Sequence, residues 1–273
     1  MQPVRILQID AFTAEPFRGN PAGVCLLRES AAEEWMQAVA AEMNLSETAF
    51  VVPRGPQEFG IRWFTPTTEV PLCGHATLAS AHALWIERVV ADSRSIAFQA
   101  GSGRLEARRE RDWIVLDFPT LVARERSAPA GLTAALGSRP LGVYRNEHSV
   151  WLVELDSAAT VCDLAPDIAG LLQAGVGACI VTAAGGAGTC DFVSRFFAPD
   201  FGVDEDPVTG SAHCSLAPFW AERLGRSDLV GHQVSRRGGV VKVRMKGERV
   251  EILGQALTVF AGDLQVAPVP GAV

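Results

Sequence analysis

Apolar and polar residues along this chain recur with two periods, and the switches between them mark out its elements. Val4–Phe12 alternates residue by residue and predicts a strand. Pro16–Gly23 (P-F-R-G-N-P-A-G) is loop chemistry, and Val24–Leu27 predicts a second strand. Ser30 with Glu33 reads as a capping box, and the helical spacing over Ala31–Met43 predicts a helix that Asn44 stops. Thr48–Val52 and Ile61–Phe64 predict strands closed by Pro53 and Pro66. Gly74 then leads into an apolar, Ala-rich helix running to about Ile86, and strands follow at about Ile96–Gln99, Arg104–Arg109 and Trp113–Phe118.

The stretch Pro119–Arg139 is mixed, which places a lobe boundary there: an N-terminal lobe over 1–120 and a C-terminal lobe over 121–273. The last strands are free to return to the N-terminal lobe. Strands resume at about Leu141–Tyr144, Val150–Leu155 and Ala178–Thr182, and Gly185–Gly188 predicts a turn. That turn has neither the spacing nor the following helix of a dinucleotide fingerprint. Asp191–Phe197 predicts a strand closed by Pro199, and Gly210 leads into a helix that ends at Leu224-Gly225. Pro218 is expected to kink or split it. Val240–Met245, Val250–Leu253 and Leu257–Phe260 read as a strand meander.

One unit recurs. Arg62-Trp63-Phe64-Thr65-Pro66 matches Arg195-Phe196-Phe197-Ala198-Pro199, and Gly74-His75-Ala76 parallels Gly210-Ser211-Ala212. Gly74 follows Pro66 by eight positions and Gly210 follows Pro199 by eleven. Each half thus carries strand, Pro-closed loop, glycine and helix. Two related lobes are expected to aim helix N-termini at a shared cleft. The free amides and positive dipole end of a helix N-terminus attract a carboxylate or enolate.

Charge narrows the partners. The net charge is −7, from 24 basic and 31 acidic residues, and the arginines are scattered, so nucleic acid is excluded as a natural partner. Arg104–Asp112 mixes both signs and reads as a solvated hairpin. No apolar run reaches membrane-spanning length. The six cysteines form no C-x-x-C pair, and Met1–Phe12 is too short and too charged for a signal peptide, so a cytoplasmic setting with reduced thiols is expected.

Several residues could carry chemistry. Glu47, between a helix end and a strand, is either a turn residue or a general acid/base. His75, at a helix start, suits hydrogen bonding to an anion or proton transfer, whereas His82 reads as packed. Asp206 and Ser211 flank the second junction; three consecutive acids would ordinarily form a solvated loop, and no G-x-S-x-G surrounds Ser211. Cys73 and Cys214 occupy inequivalent repeat positions and read as small apolar fillers. His148, His213 and His232 offer no zinc spacing, so neither a metal nor an organic cofactor is expected.

These motifs, taken in order, resemble the phenazine-biosynthesis PhzF-like proteins. The resemblance rests on Gln8–Phe12, Phe17–Val24, Asn44–Phe50, Arg62–Pro66, Leu72–Thr77, Arg195–Pro199 and Asp204–His213. It implies an α+β, diaminopimelate-epimerase-like fold of two pseudo-symmetric lobes, each with a sheet wrapped around a central helix, and a homodimer. It further implies a cofactor-independent isomerase similar to trans-2,3-dihydro-3-hydroxyanthranilate isomerase, acting on a small carboxylate. Carried over residue by residue, the proton-transferring glutamate is Glu47, beside His75, Asp206 and Ser211. The substrate-binding positions are Ser46, Gly74, Thr209 and Gly210. Related epimerases use two cysteines, but Asp206-Pro207 stands where the second would be wanted. A cysteine-dependent amino-acid epimerase and a non-catalytic binding protein on the same fold are the alternatives.

Overall fold

The computed structural model describes residues 3–186 and 188–269. Met1, Gln2 and Ala187, on which parts of the leader and turn readings fall, lie outside the described residues. In chain order the first elements are β1 (Val4–Ala11), β2 (Asn20–Leu26), α1 (Glu33–Met43), β3 (Glu47–Pro53), β4 (Glu58–Phe64), β5 (Glu69–Val70) and α2 (Gly74–Ile86). There follow β6 (Ile96–Ala100), β7 (Gly103–Glu110), β8 (Trp113–Pro119), β9 (Arg124–Glu125), α3 (Leu132–Leu136), β10 (Gly142–Arg145) and β11 (Trp151–Glu154). The last are α4 (Ala158–Asp163), α5 (Ile168–Gln173), β12 (Cys179–Ala184), β13 (Phe192–Ala198), β14 (Val203–Asp206), α6 (His213–Leu224), β15 (Asp228–Gln233), β16 (Gly239–Lys246), β17 (Arg249–Gly254) and β18 (Ala256–Leu264). Two compact units result: Met1–Asp117 with Leu253–Val273, and Phe118–Ile252. No helix among the described residues is long and apolar enough to cross a membrane.

In the first unit β1 pairs antiparallel with β2 and β18, β2 runs parallel to β3, and β3 pairs antiparallel with β4. β4 then takes β5 antiparallel and β6 parallel. The helix inside this sheet is α2, which packs on β1, β2, β3 and β18. Its composition explains that place. Alanines carry high helix propensity and little bulk, so strands approach on every side, and eleven of its residues are buried. The two buried hydroxyls bond back into the helix, Thr77 to the Cys73 carbonyl at 2.6 Å and Ser80 to the Ala76 carbonyl at 2.7 Å. Leu78, Leu84 and Trp85 supply the apolar burial, at about 1.5–3 kcal/mol for each aliphatic side chain. Gly254 is required beside them: a Cβ there would fall 2.4 Å from Phe12 Cδ1 and 2.7 Å from Leu78 Cδ1.

The second unit repeats these pairing senses. β10 is antiparallel to β11, β11 parallel to β12, and β12 antiparallel to β13, which takes β14 antiparallel and β15 parallel. α6 packs on β15 and β16. The repeat extends to side chains. Arg62 forks onto Glu69 and lies 5.1 Å over the Phe64 ring; Arg195 forks onto Glu205 and lies 5.0 Å over the Phe197 ring.

Four expectations are corrected. Ser30 and Glu33 form no capping box: the helix N-cap is Ala32, whose amide donates to the Val269 carbonyl at 2.7 Å, while Glu33 is taken by Arg62 at 2.6 Å. Asn20–Gly23 is strand, not loop; Pro21 is tolerated because the parallel ladder with β3 begins only at Ala22. α6 starts at His213, not Gly210, since residues 210–212 form a tighter turn closed by bonds such as His213 N–H to the Gly210 carbonyl at 3.0 Å. Pro218 does not split α6. The Cys214 carbonyl that a residue-218 amide would have bonded instead accepts from the Leu121 amide at 2.9 Å.

Candidate active site

In the first unit, three element starts converge. Asn20 opens β2, Glu47 opens β3, and His75 is the second residue of α2, which packs on both strands. Local chemistry delivers Glu47 there: Asn44 ends α1 in the left-handed region at φ 49°, turning the chain sharply enough for β3 to begin three residues later. His75 is buried, and its Nε2 lies 3.1 Å from Glu47 Oε2. On the other side of the ring, Nδ1 lies 3.2 Å from Asn20 Nδ2 and 3.4 Å from Cys73 Sγ. The Glu47 side chain is 19% exposed against 6% for His75, so the pair is largely desolvated while the Glu47 side chain keeps some contact with solvent.

The surroundings set the charges. Burial alone favours the neutral His75 ring, but Cys73 and Glu47 favour the imidazolium, and the balance holds its pKa well above 6.5. Burial pushes the Cys73 thiol up to about 11, with the Glu47 charge adding to it, so at neutral pH it is a thiol and not a nucleophilic thiolate. His82 contacts Thr258 Oγ1 at 3.1 Å and burial lowers its pKa to about 4, as suits a packed histidine. Gly74 and His75 precede the first α2 bond, from the Thr77 amide to the Cys73 carbonyl, so their amides stand at the positive end of the helix. This cluster can hold an anion at those amides and exchange a proton at Glu47.

In the second unit, Asp206 ends β14 instead of lying in a solvated loop, and its Oδ2 accepts a short bond from Thr209 Oγ1. Gln233 clamps the turn: its Oε1 accepts from the Thr209 amide at 2.8 Å, and its Nε2 donates to the Asp206 carbonyl at 2.9 Å. Gly210 is buried and Ser211 is exposed on the turn that enters α6. Beyond them His213 donates from Nδ1 to the Thr209 carbonyl at 2.8 Å, and burial lowers its pKa to about 4.

Of the residues singled out from the sequence, Glu47 and His75 thus meet in one cluster and Asp206 and Thr209 in another. Ser46 lies half-buried just before Glu47, and Gly74 is buried at the first position of α2. Cys73 is more than an apolar filler, since its sulfur touches His75; Cys214 is buried with its thiol pushed up to about 12. Asn20 and Gln233 escaped the sequence reading. Asn20 was visible only as one residue of a loop-like R-G-N-P-A-G run, and nothing local marks Gln233.

Comparison with known proteins places this chain in a family. The model for phenazine biosynthesis-like proteins, PhzC-PhzF, matches residues 9–262. An uncharacterized isomerase of Halalkalibacterium halodurans is 46% identical over 265 residues, covering 97% of this chain and 99% of that one. A crystal structure of a PhzF-family phenazine biosynthesis protein from Enterococcus faecalis superposes with a TM-score of 0.92 at 38% identity, covering 97% of this chain and all of that one, 100%. A hydroxyproline epimerase from Agrobacterium vitis shares the fold alone, with a TM-score of 0.61 at 8% identity over 96% of this chain and 92% of its own. The chain therefore belongs to the phenazine biosynthesis-like PhzC-PhzF family and has its α+β, diaminopimelate-epimerase-like fold.

Proposed function

We propose that this protein is a cofactor-independent isomerase that moves a proton on a small cyclic or amino carboxylate, with Glu47 as the acid/base. The observation that carries the reading is the desolvated contact between Glu47 and His75, 3.1 Å apart at the start of α2. A carboxylate there takes a proton from a carbon next to a carboxylate or ring and returns it to another carbon. His75 steadies the charge on Glu47 as it changes. The amides of Gly74 and His75 attract the substrate carboxylate. Asp206 and Ser211 bind polar groups of the substrate, with Thr209 and Gln233 fixing Asp206, and Ser46 and Gly210 provide further contacts. The H. halodurans relative is named an isomerase, which supports the reaction class. The protein is further proposed to be cytoplasmic and a homodimer; light scattering tests the dimer. Turnover of trans-2,3-dihydro-3-hydroxyanthranilate, followed by absorbance beside a panel of small amino and cyclic acids, tests the function. Conversion of at least one acid is expected, and a folded protein that converts none contradicts the reading.

A second reading has one observation in its favour: the Cys73 thiol touches His75, as a thiol base would require. It makes the protein a cysteine-dependent epimerase and predicts that Cys73→Ser abolishes turnover. On the glutamate reading that variant still turns over, slowed about tenfold at most by the loss of a contact to His75.

A further inference from the structure

The proton-transfer scheme leaves the one thiol of the first cluster, buried Cys73, unused. We propose that Glu47, Cys73 and His75 together form a binding site for a borderline-soft divalent metal ion, Zn²⁺ being the type, and that occupancy inhibits the enzyme by withdrawing Glu47. The inhibition rests on the proposed role of Glu47; the site itself does not.

The donor set and its spacing carry the inference. One sulfur, one imidazole nitrogen and one carboxylate oxygen lie within 4.8 Å of one another. His75 Nε2 is the corner, 4.0 Å from Cys73 Sγ and 3.1 Å from Glu47 Oε2. With Zn–S about 2.3 Å and Zn–N and Zn–O about 2.0–2.2 Å, tetrahedral ligands sit roughly 3.3–3.6 Å apart, so the two edges at Nε2 need changes of about half an ångström, while the sulfur–carboxylate edge starts from within 4.8 Å. Glu47 Oε2 is buried with His75 Nε2 as its polar neighbour, so a cation that displaces the Nε2 proton meets both groups at once. The neighbours suit a metal-bound state as well. Asn20 stands beside Nδ1, and with Nε2 on the metal its amide can turn to accept the Nδ1 hydrogen. The Ala76 amide hydrogen-bonds the sulfur and favours its thiolate form. On binding, the Nε2 proton of the His75 imidazolium and the Cys73 thiol proton both leave to solvent as the nitrogen–metal and sulfur–metal bonds form. A thiolate, imidazole and carboxylate select zinc-like ions over magnesium or calcium, and three protein ligands leave a fourth position for water. Sequence spacing hides the site, because Glu47 lies far from the Cys73-x-His75 pair in the chain.

Cobalt is the probe. Co²⁺ added to the purified full chain without substrate is expected to give a near-ultraviolet thiolate-to-cobalt absorption at one equivalent. The band should be lost in Cys73→Ser, and cobalt affinity should fall at least about tenfold in His75→Ala. Zn²⁺ should displace the cobalt and abolish turnover, reversibly with a chelator, while Mg²⁺ does neither. No thiolate band, or cobalt held equally by Cys73→Ser, overturns the site. A band with turnover unaffected by zinc overturns the inhibition. Because the band is read without substrate, it stands apart from whether Glu47 moves a proton, which Glu47→Gln decides separately.

Discussion

At the start of α2 a buried histidine meets a carboxylate; at the start of α6 a buried histidine meets aromatic rings. His75 sits 3.1 Å from Glu47, and His213 packs 5.9 Å from the Phe192 ring, which stacks on Trp220. The two helices follow the same strand pairing, and Arg62–Phe64–Glu69 and Arg195–Phe197–Glu205 repeat the same stack and fork. The duplicated scaffold therefore does not dictate the chemistry; the residue placed opposite each helix start does. One copy gathers titratable groups and the other buries a neutral ring, leaving its polar work to Asp206, Thr209 and Gln233 on the preceding turn.

The largest effect should separate the copies by activity. Glu47→Gln is expected to lower kcat/KM by about 10²- to 10⁴-fold while thermal unfolding by circular dichroism stays close to wild type. Unfolding of that variant would return Glu47 to a structural role.

The arginine forks sharpen the comparison through stability. Arg195 is 11% exposed and also bonds the Leu164 carbonyl at 2.6 Å, whereas Arg62 is 37% exposed. Truncation to alanine should cost about 3 kcal/mol at Arg195, where a mostly buried charge loses its partner, and about 1 kcal/mol or less at Arg62. Urea midpoints measure both, and equal costs would break the distinction.

The two histidines should also respond to pH with opposite signs. His213 has a folded pKa of about 4, below its unfolded value, so the unfolded chain binds the extra proton between about 6.5 and 4. Stability should fall as pH drops through that window, by about 3 kcal/mol from this residue, and the loss should be smaller in His213→Gln. His75 has its folded pKa raised, so its contribution is full below about 6.5 and is lost as pH rises through the folded value. Imidazole NMR should show His75 protonated where His213 is neutral.

The smallest effect concerns the helix itself. Pro218→Ala should change stability by about 1 kcal/mol or less, because the Leu121 amide already holds the carbonyl that a residue-218 amide would seek.

Local rules carried the sequence reading a long way. The span of α2 was legible because an unbroken Ala-rich run follows a glycine, and the repeat was legible because its Arg-Phe-Pro strands share a pattern. What escaped was short or decided at long range. α4 and α5 are six residues each, too short to show a period, though Ser157 and Asp167 cap them as their residue types allow. β15 was missed because Gly231 and His232 interrupt its alternation; that glycine leaves room for Phe192, whose Cε2 would lie 2.5 Å from a Cβ there. Ser30 and Glu33 satisfied a capping pattern that Arg62 and Val269 overrode. Glu47, His75 and Asp206 were reached through motif order, but the Asn20 contact to His75 depends on how α2 packs on β2, which no local signal encodes, and the Cys73 contact on the turn into α2.

Turnover in D₂O, followed by proton NMR of the substrate, shows whether Glu47 moves the proton. Deuterium is expected at the protonated carbon with the wild-type protein, the Glu47 carboxyl exchanging its proton with solvent before returning it, and Glu47→Gln should incorporate it at least about 10²-fold more slowly. Deuterium incorporation that persists in Glu47→Gln at the wild-type rate would contradict proton transfer by Glu47.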